Sequence, residues 1–184
     1  MLRDELLNLD RPALARVMEA GHPIDPDALA GWEYKGIAVG SALIEKLAWK
    51  TFRKTFHRDR ESGVLRGWNY RVEQDGIDGD YPIKQKGGRD FSWGFYRVVD
   101  GKGHKMPWQA DHGLVIDYGF GENGLSPQSL VKDPLLAVNA GSPDLLIGVS
   151  YVDLGVFTMP TPTFFLLSRD QPLRNVVASA VSKG

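Results

Sequence analysis

Residues 64–73 read VLRGWNYRVE, with Val64, Trp68, Tyr70 and Val72 on one side of a two-residue period and Gly67, Asn69, Arg71 and Glu73 on the other. Successive side chains of an extended strand project to opposite faces, so this pattern predicts a strand with one face turned to a core. WEYKGIAV (32–39) is β-rich in composition, FSWGFYRVV (91–99) puts Phe91, Trp93, Phe95 and Val99 together, and HGLVIDYG (112–119), DLLIGVSYVDLG (144–155) and TFFLLSR (163–169) complete the set, each bounded by Gly, Pro, Asp or Asn clusters. Strands repeated at such spacing predict an antiparallel, strongly curved sheet of about six to eight strands that forms a barrel. The linkers 74–90, 100–111 and 119–143 are long and polar, and LVKDPLLAV (130–138) reads as a short element inside the last.

Ahead of the strands, Leu2, Leu6, Leu7 and Leu9, then Leu14, Val17 and Met18, recur at helical spacing on either side of Arg11-Pro12. Asp10 is placed to cap the second helix, Pro12 lies in its first turn and Gly21 stops it. Residues 21–31 read as an extended connector with one helical turn. Segment 41–56 is read as an amphipathic helix, because Lys46, Lys50, Arg53, Lys54 and His57 fall on one stripe opposite Leu47, Ala48, Phe52 and Phe56. The run also alternates passably as a strand. With no internal repeat and no change of composition, the chain reads as one domain: a helical lead (1–31), a barrel (32–169) and a C-terminal tail or helix (170–184).

Several chemistries are excluded at once. The chain has no cysteine, which removes disulfides, thiolate catalysis and Cys-based metal sites. A formal net charge of −1 supplies no general field for nucleic acid, and no nucleic-acid partner is expected. Residues 1–20 carry a charge every few positions and no stretch matches a membrane span, so a cytoplasmic location is expected. His22, His57, His104 and His112 contain no metal-ligand spacing, so no metal site is expected, and no cofactor either. GFGENG (119–124) follows a strand but is followed by Leu-Ser-Pro rather than a helix, and reads as a turn. DGIDGD (75–80) lacks the spacing of a calcium loop. The basic stripe Lys46, Lys50, Arg53, Lys54, Arg58 and Arg60 reads as a solvated face; contact with a membrane surface or another protein through it is the lesser expectation. The oligomeric state is not set by the sequence.

The constellation that carries function is aromatic. If the strands close, one face collects Trp68, Tyr70, Trp93, Phe95, Leu114, Ile116 and Tyr151, with Arg97, His112, Tyr118 and Asp153 as polar members. Such a face either packs on itself or lines a pocket for a hydrophobic ligand with one polar or anionic end. Arg97 is expected to point inward and to pair with Asp153. The alternative is a cofactor-free isomerase, cyclase or dehydratase working in the same cavity, with His112 and Tyr118 or Tyr151 as acid and base.

One pairing resembles a family mark. Gly31-Trp32 opens the first strand, and Arg169 closes the last in FFLLSR. This resembles the calycin (lipocalin and fatty-acid-binding) arrangement, in which a first-strand Trp packs under an Arg from the end of the barrel. The resemblance implies a lipocalin-like β-barrel that carries a small hydrophobic molecule. Two N-terminal helices, a strand, a helix and a run of long strands also look like the cone-shaped NTF2-like α+β fold, which is the runner-up.

Overall fold

A computed structural model describes residues 1–40, 50–120, 123 and 126–177. Helices α1 (Arg3–Leu7), α2 (Arg11–Glu19) and α3 (Pro26–Leu29) lead into strand β1 (Trp32–Val39). Then come β2 (Thr51–Arg58), β3 (Leu65–Tyr70), the small hairpin β4 (Gln85–Lys86) and β5 (Arg89–Asp90), and β6 (Ser92–Asp100). The chain continues with β7 (Leu114–Asp117), β8 (Val131–Asn139), β9 (Ser142–Asp153) and β10 (Thr158–Pro172). Eight of these strands form a closed antiparallel barrel in the order β1-β10-β9-β8-β7-β6-β3-β2. The lipocalin-like barrel is therefore the fold. The NTF2-like cone is not, because β1 pairs with both β2 and β10 and the sheet has no open edge.

The helical lead forms as its residues dictate. Asp10 Oδ1 accepts from the Ala13 N–H at 2.9 Å, and Pro12 occupies the first turn, where its missing N–H costs nothing. Leu14 and Met18 of α2 pack with Leu6 against the outer faces of β9 and β10, where Leu145, Ile147, Val149, Phe164 and Leu166 are buried. Leu29 and Ile24 instead join the barrel interior, plugging one end of it with Tyr34, Phe56, Leu65, Tyr96, Leu114 and Leu167.

Three expectations are corrected. Residues 51–56 are strand, not helix: Phe52, Lys54 and Phe56 face the interior while Arg53 and Thr55 face outward, a period of two rather than 3.6. Closing the barrel requires the β1–β2–β3 pairing here, and tertiary hydrogen bonding overrides local helical preference. The basic stripe is accordingly not one solvated face over this stretch. Arg53 is buried against Asp170, Glu33 and the carbonyls of Asp80 and Tyr81, and Lys54 is inside the barrel. Lys46 and the rest of 41–49 lie outside the described residues, as do Gly121 and Gly124 of the glycine-rich motif. Residues 130–138 hold most of a full barrel strand, β8. Residues 173–177 of the C-terminal segment are irregular, and the rest of it lies outside the described residues.

Candidate functional site

The two ends of the barrel differ. At the end formed by the start of β1 and the finish of β10, the Arg169 guanidinium lies 4.6 Å from the centre of the Trp32 ring. Its Nη2 donates to the Ala28 carbonyl at 2.7 Å, and Nε and Nη2 reach the Tyr34 hydroxyl at 3.3 Å. Together with Leu29, these groups close that end.

The opposite end encloses a cavity of about 800 Å³. Its walls carry Ala38, Phe52, Val72, Phe91, Trp93 and Phe165, and its deep polar groups are Lys54, Asn69, Tyr118, Asp133 and Ser150. Two glycines make room for the rings: a Cβ at Gly36 would lie 2.3 Å from Phe52, and one at Gly148 would lie 2.3 Å from Phe165. Phe52 and Phe165 then meet edge to face, 6.1 Å between ring centres.

Lys54 is the centre of the polar group. It is 2 % exposed, and its Nζ donates to the Tyr118 hydroxyl at 2.5 Å and lies 3.5 Å from Asp133 Oδ2. The Tyr118 hydroxyl in turn donates to Asp133 Oδ2 at 3.2 Å, and Asn69 Nδ2 donates to the same hydroxyl at 3.4 Å. Asn69 also donates to the Gly94 carbonyl, which fixes its amide. Asp133 Oδ1 is buried with no hydrogen-bond partner among the described residues. Around the ammonium stand four rings, with Tyr96 at 4.9 Å, Tyr118 at 5.1 Å, Phe165 at 5.4 Å and Phe52 at 5.8 Å. Burial lowers the Lys54 pKa, with the Asp133 charge opposing it, and burial raises that of Asp133, with the Lys54 charge opposing. Burial holds the Tyr118 phenol well above its ordinary value, and the Asp133 charge adds to the effect. All three shifts favour the uncharged forms.

The aromatic and polar residues expected on one inner face divide differently. Trp93 lines the cavity, and Tyr118 is part of its polar floor. Leu114 and Ile116 face inward, in the packed half of the interior rather than along the cavity wall. Trp68 and Tyr70 alternate with Asn69, which faces the cavity, so they lie on the outer face; there Trp68 packs against Tyr70, Phe95 and Arg66. Tyr151 follows the cavity-facing Ser150 and likewise points outward, beside the ion pairs of Lys132 with Asp117 and Asp153.

Arg97 does not point inward. It is exposed, its guanidinium 5.7 Å from the Phe120 ring, and Asp153 pairs with Lys132 instead. The cause is one residue. Gly67 opposes Tyr96 and Asn69 opposes Trp93, so β6 spans three residues where β3 spans two. Gly94, at φ +57°, takes up the extra step. Past this bulge Tyr96 and Val98 face inward, while Phe95 and Arg97 face out.

His112 sits at the other end of the barrel. It is exposed, with Nε2 2.9 Å from the Gly21 carbonyl oxygen, beside a shallower hollow of about 530 Å³ that Arg58, Arg97, Leu114 and Phe120 also line. His112, Tyr118 and Tyr151 thus occupy three separate places and do not form an acid–base set.

Sequence reasoning missed Lys54, Asn69 and Asp133. Lys54 was hidden in an apparent basic stripe, and Asp133 in a linker. The available signal was the strand alternation of WKTFRKTFH, which puts Lys54 in register with Phe52 and Phe56.

No protein-family model matches the sequence, and no curated protein or solved structure matches it either.

Proposed function

We propose that the protein binds a small hydrophobic molecule in the open half of its barrel, with an oxygen-bearing polar end meeting Lys54, Tyr118 and Asn69 at the cavity floor. The observation that carries this reading is a ring-lined cavity of about 800 Å³ that holds a compact hydrogen-bonded cluster of Lys54, Asn69, Tyr118 and Asp133, with the half-buried Arg71 and the exposed Gln74 and Lys84 lining it elsewhere. Pockets of this composition take an apolar body and orient it by a few convergent polar groups. The orphaned Asp133 Oδ1 adds an acceptor, and the Lys54 Nζ and Asn69 Nδ2 groups add donors. The Trp32–Arg169 closure supports calycin-like membership as part of the same reading, and the cytoplasmic location read from the sequence goes with it.

Native mass spectrometry of protein taken from its own host tests the reading. The expected result is folded protein that carries one small apolar molecule. Thr163→Trp, which places an indole in the cavity wall, should abolish its retention with the circular dichroism unchanged. Retention unaffected by Thr163→Trp would move the site out of the barrel.

A further inference from the structure

A primary amine at the floor of an apolar cavity is an uncommon choice for simple recognition. Lysine is strongly hydrated, and an ammonium removed from water is costly unless its charge is matched. Among the described residues the carboxylate against Lys54 Nζ is that of Asp133, at 3.5 Å, and the closest group to the nitrogen is a phenol. Around it stand the ring of Phe52 on the same strand and the rings of Tyr96 and Phe165 on others, while the Asn69 amide donates to the same phenol and Ser150 lines the same pocket.

From this geometry we propose that Lys54 captures carbonyl compounds: the ligand is an apolar aldehyde or ketone, held as an imine on Nζ with Tyr118 and Asp133 managing the protons. The proposal rests on the cavity reading above and names the ligand class for it. Burial favours the uncharged amine and the protonated carboxyl, the pair such a reaction needs at the start.

The step balances without any other reactant. The Nζ lone pair forms a bond to the carbonyl carbon while the C=O π pair moves to oxygen, which takes the Asp133 proton. The nitrogen, now positively charged, gives one of its two N–H protons to the Asp133 carboxylate, directly or through the Tyr118 hydroxyl that bridges them, leaving a neutral carbinolamine. Asp133 then protonates the carbinolamine hydroxyl, water leaves, and the nitrogen lone pair closes the C=N bond. The product is a protonated imine facing the Asp133 carboxylate, plus one water. Nothing is oxidised or reduced, and the reverse sequence releases the carbonyl compound.

Decanal, decanol and decanoate serve as probes of equal chain length. The full-length protein is incubated with each, binding is followed by tryptophan fluorescence, and the decanal sample is treated with sodium borohydride and mapped by peptide mass spectrometry. The expected result is a decyl adduct on Lys54 formed at least tenfold faster than on any other lysine. In Lys54→Met the adduct should vanish from that peptide, with decanol still bound. Asp133→Asn, which keeps the shape but loses the proton relay, should slow labelling of Lys54 tenfold or more. Binding of decanol or decanoate with no preferred Lys54 adduct would overturn the imine and leave the cavity reading standing. No binding of any probe to folded protein, with no preferred adduct, would overturn both.

Discussion

The Arg169 guanidinium stacks on the Trp32 indole at 4.6 Å while its Nη2 donates to the Ala28 carbonyl, so one side chain ties the last strand of the barrel to the first strand and to the connector before it. A partly desolvated cation over an indole is worth roughly 0.5–2 kcal/mol. A double-mutant cycle between Trp32→Leu and Arg169→Met should show a coupling of about 1 kcal/mol in unfolding free energy. Additive effects would mean that the stack contributes nothing beyond its separate contacts.

The tyrosines offer a second measurement. All six of the chain's tyrosines are buried, and burial raises each of their pKa values, with Tyr81 and Tyr151 pushed up to about 12. A phenol whose folded pKa exceeds its unfolded value contributes stability that is fully present below about pH 10 and is lost as the pH rises beyond it. Spectrophotometric titration should therefore show no tyrosinate forming at the ordinary value, and a cooperative rise as the fold melts in alkali. A component titrating near pH 10 in folded protein would place at least one of these rings in water.

Lys54 predicts a slope of the opposite sign. Its folded pKa lies below the unfolded one, so the unfolded chain holds more protons up to the ordinary lysine value near 10.5. Stability from this site must then rise with pH across the interval between the two values, by at most about 1.4 kcal/mol per pH unit. The stability of the parent minus that of Lys54→Met isolates the effect, because the tyrosines cancel. A flat difference between about pH 8 and pH 10 would give Lys54 an ordinary titration.

Gly148 tests the cavity wall. A methyl there would sit 2.3 Å from the tip of the Phe165 ring, which must swing away. Gly148→Ala should cost about 1–3 kcal/mol in urea unfolding, as overpacked cores do. It should also weaken ligand retention, since Phe165 lines the cavity. Unchanged stability and retention together would mean that the ring does not lie over this glycine.

Much of the fold was legible in local sequence. The alternation in 64–73, the β-rich composition of 32–39, the turn-bounded run 144–155, the Asp10 cap with Pro12 behind it, and the Gly31-Trp32 entry are all short-range patterns, and each corresponds to a local backbone preference. They determined the strands, the helical lead and the barrel class. Which side of a strand faces the cavity is not local information. Trp68 and Tyr70 are as buried outside the barrel as Tyr34 and Tyr96 are inside it, so hydrophobicity could not distinguish the faces. The bulge at Gly94 reversed the register within one strand, turning Phe95 and Arg97 outward after Trp93. The candidate site was least visible of all. Lys54, Asn69 and Asp133 come from β2, β3 and β8 and Tyr118 from the turn just after β7, and only closure of the sheet brings them within hydrogen-bond reach. In the sequence each is an ordinary polar residue; their chemistry comes from the desolvation and proximity that the tertiary structure imposes.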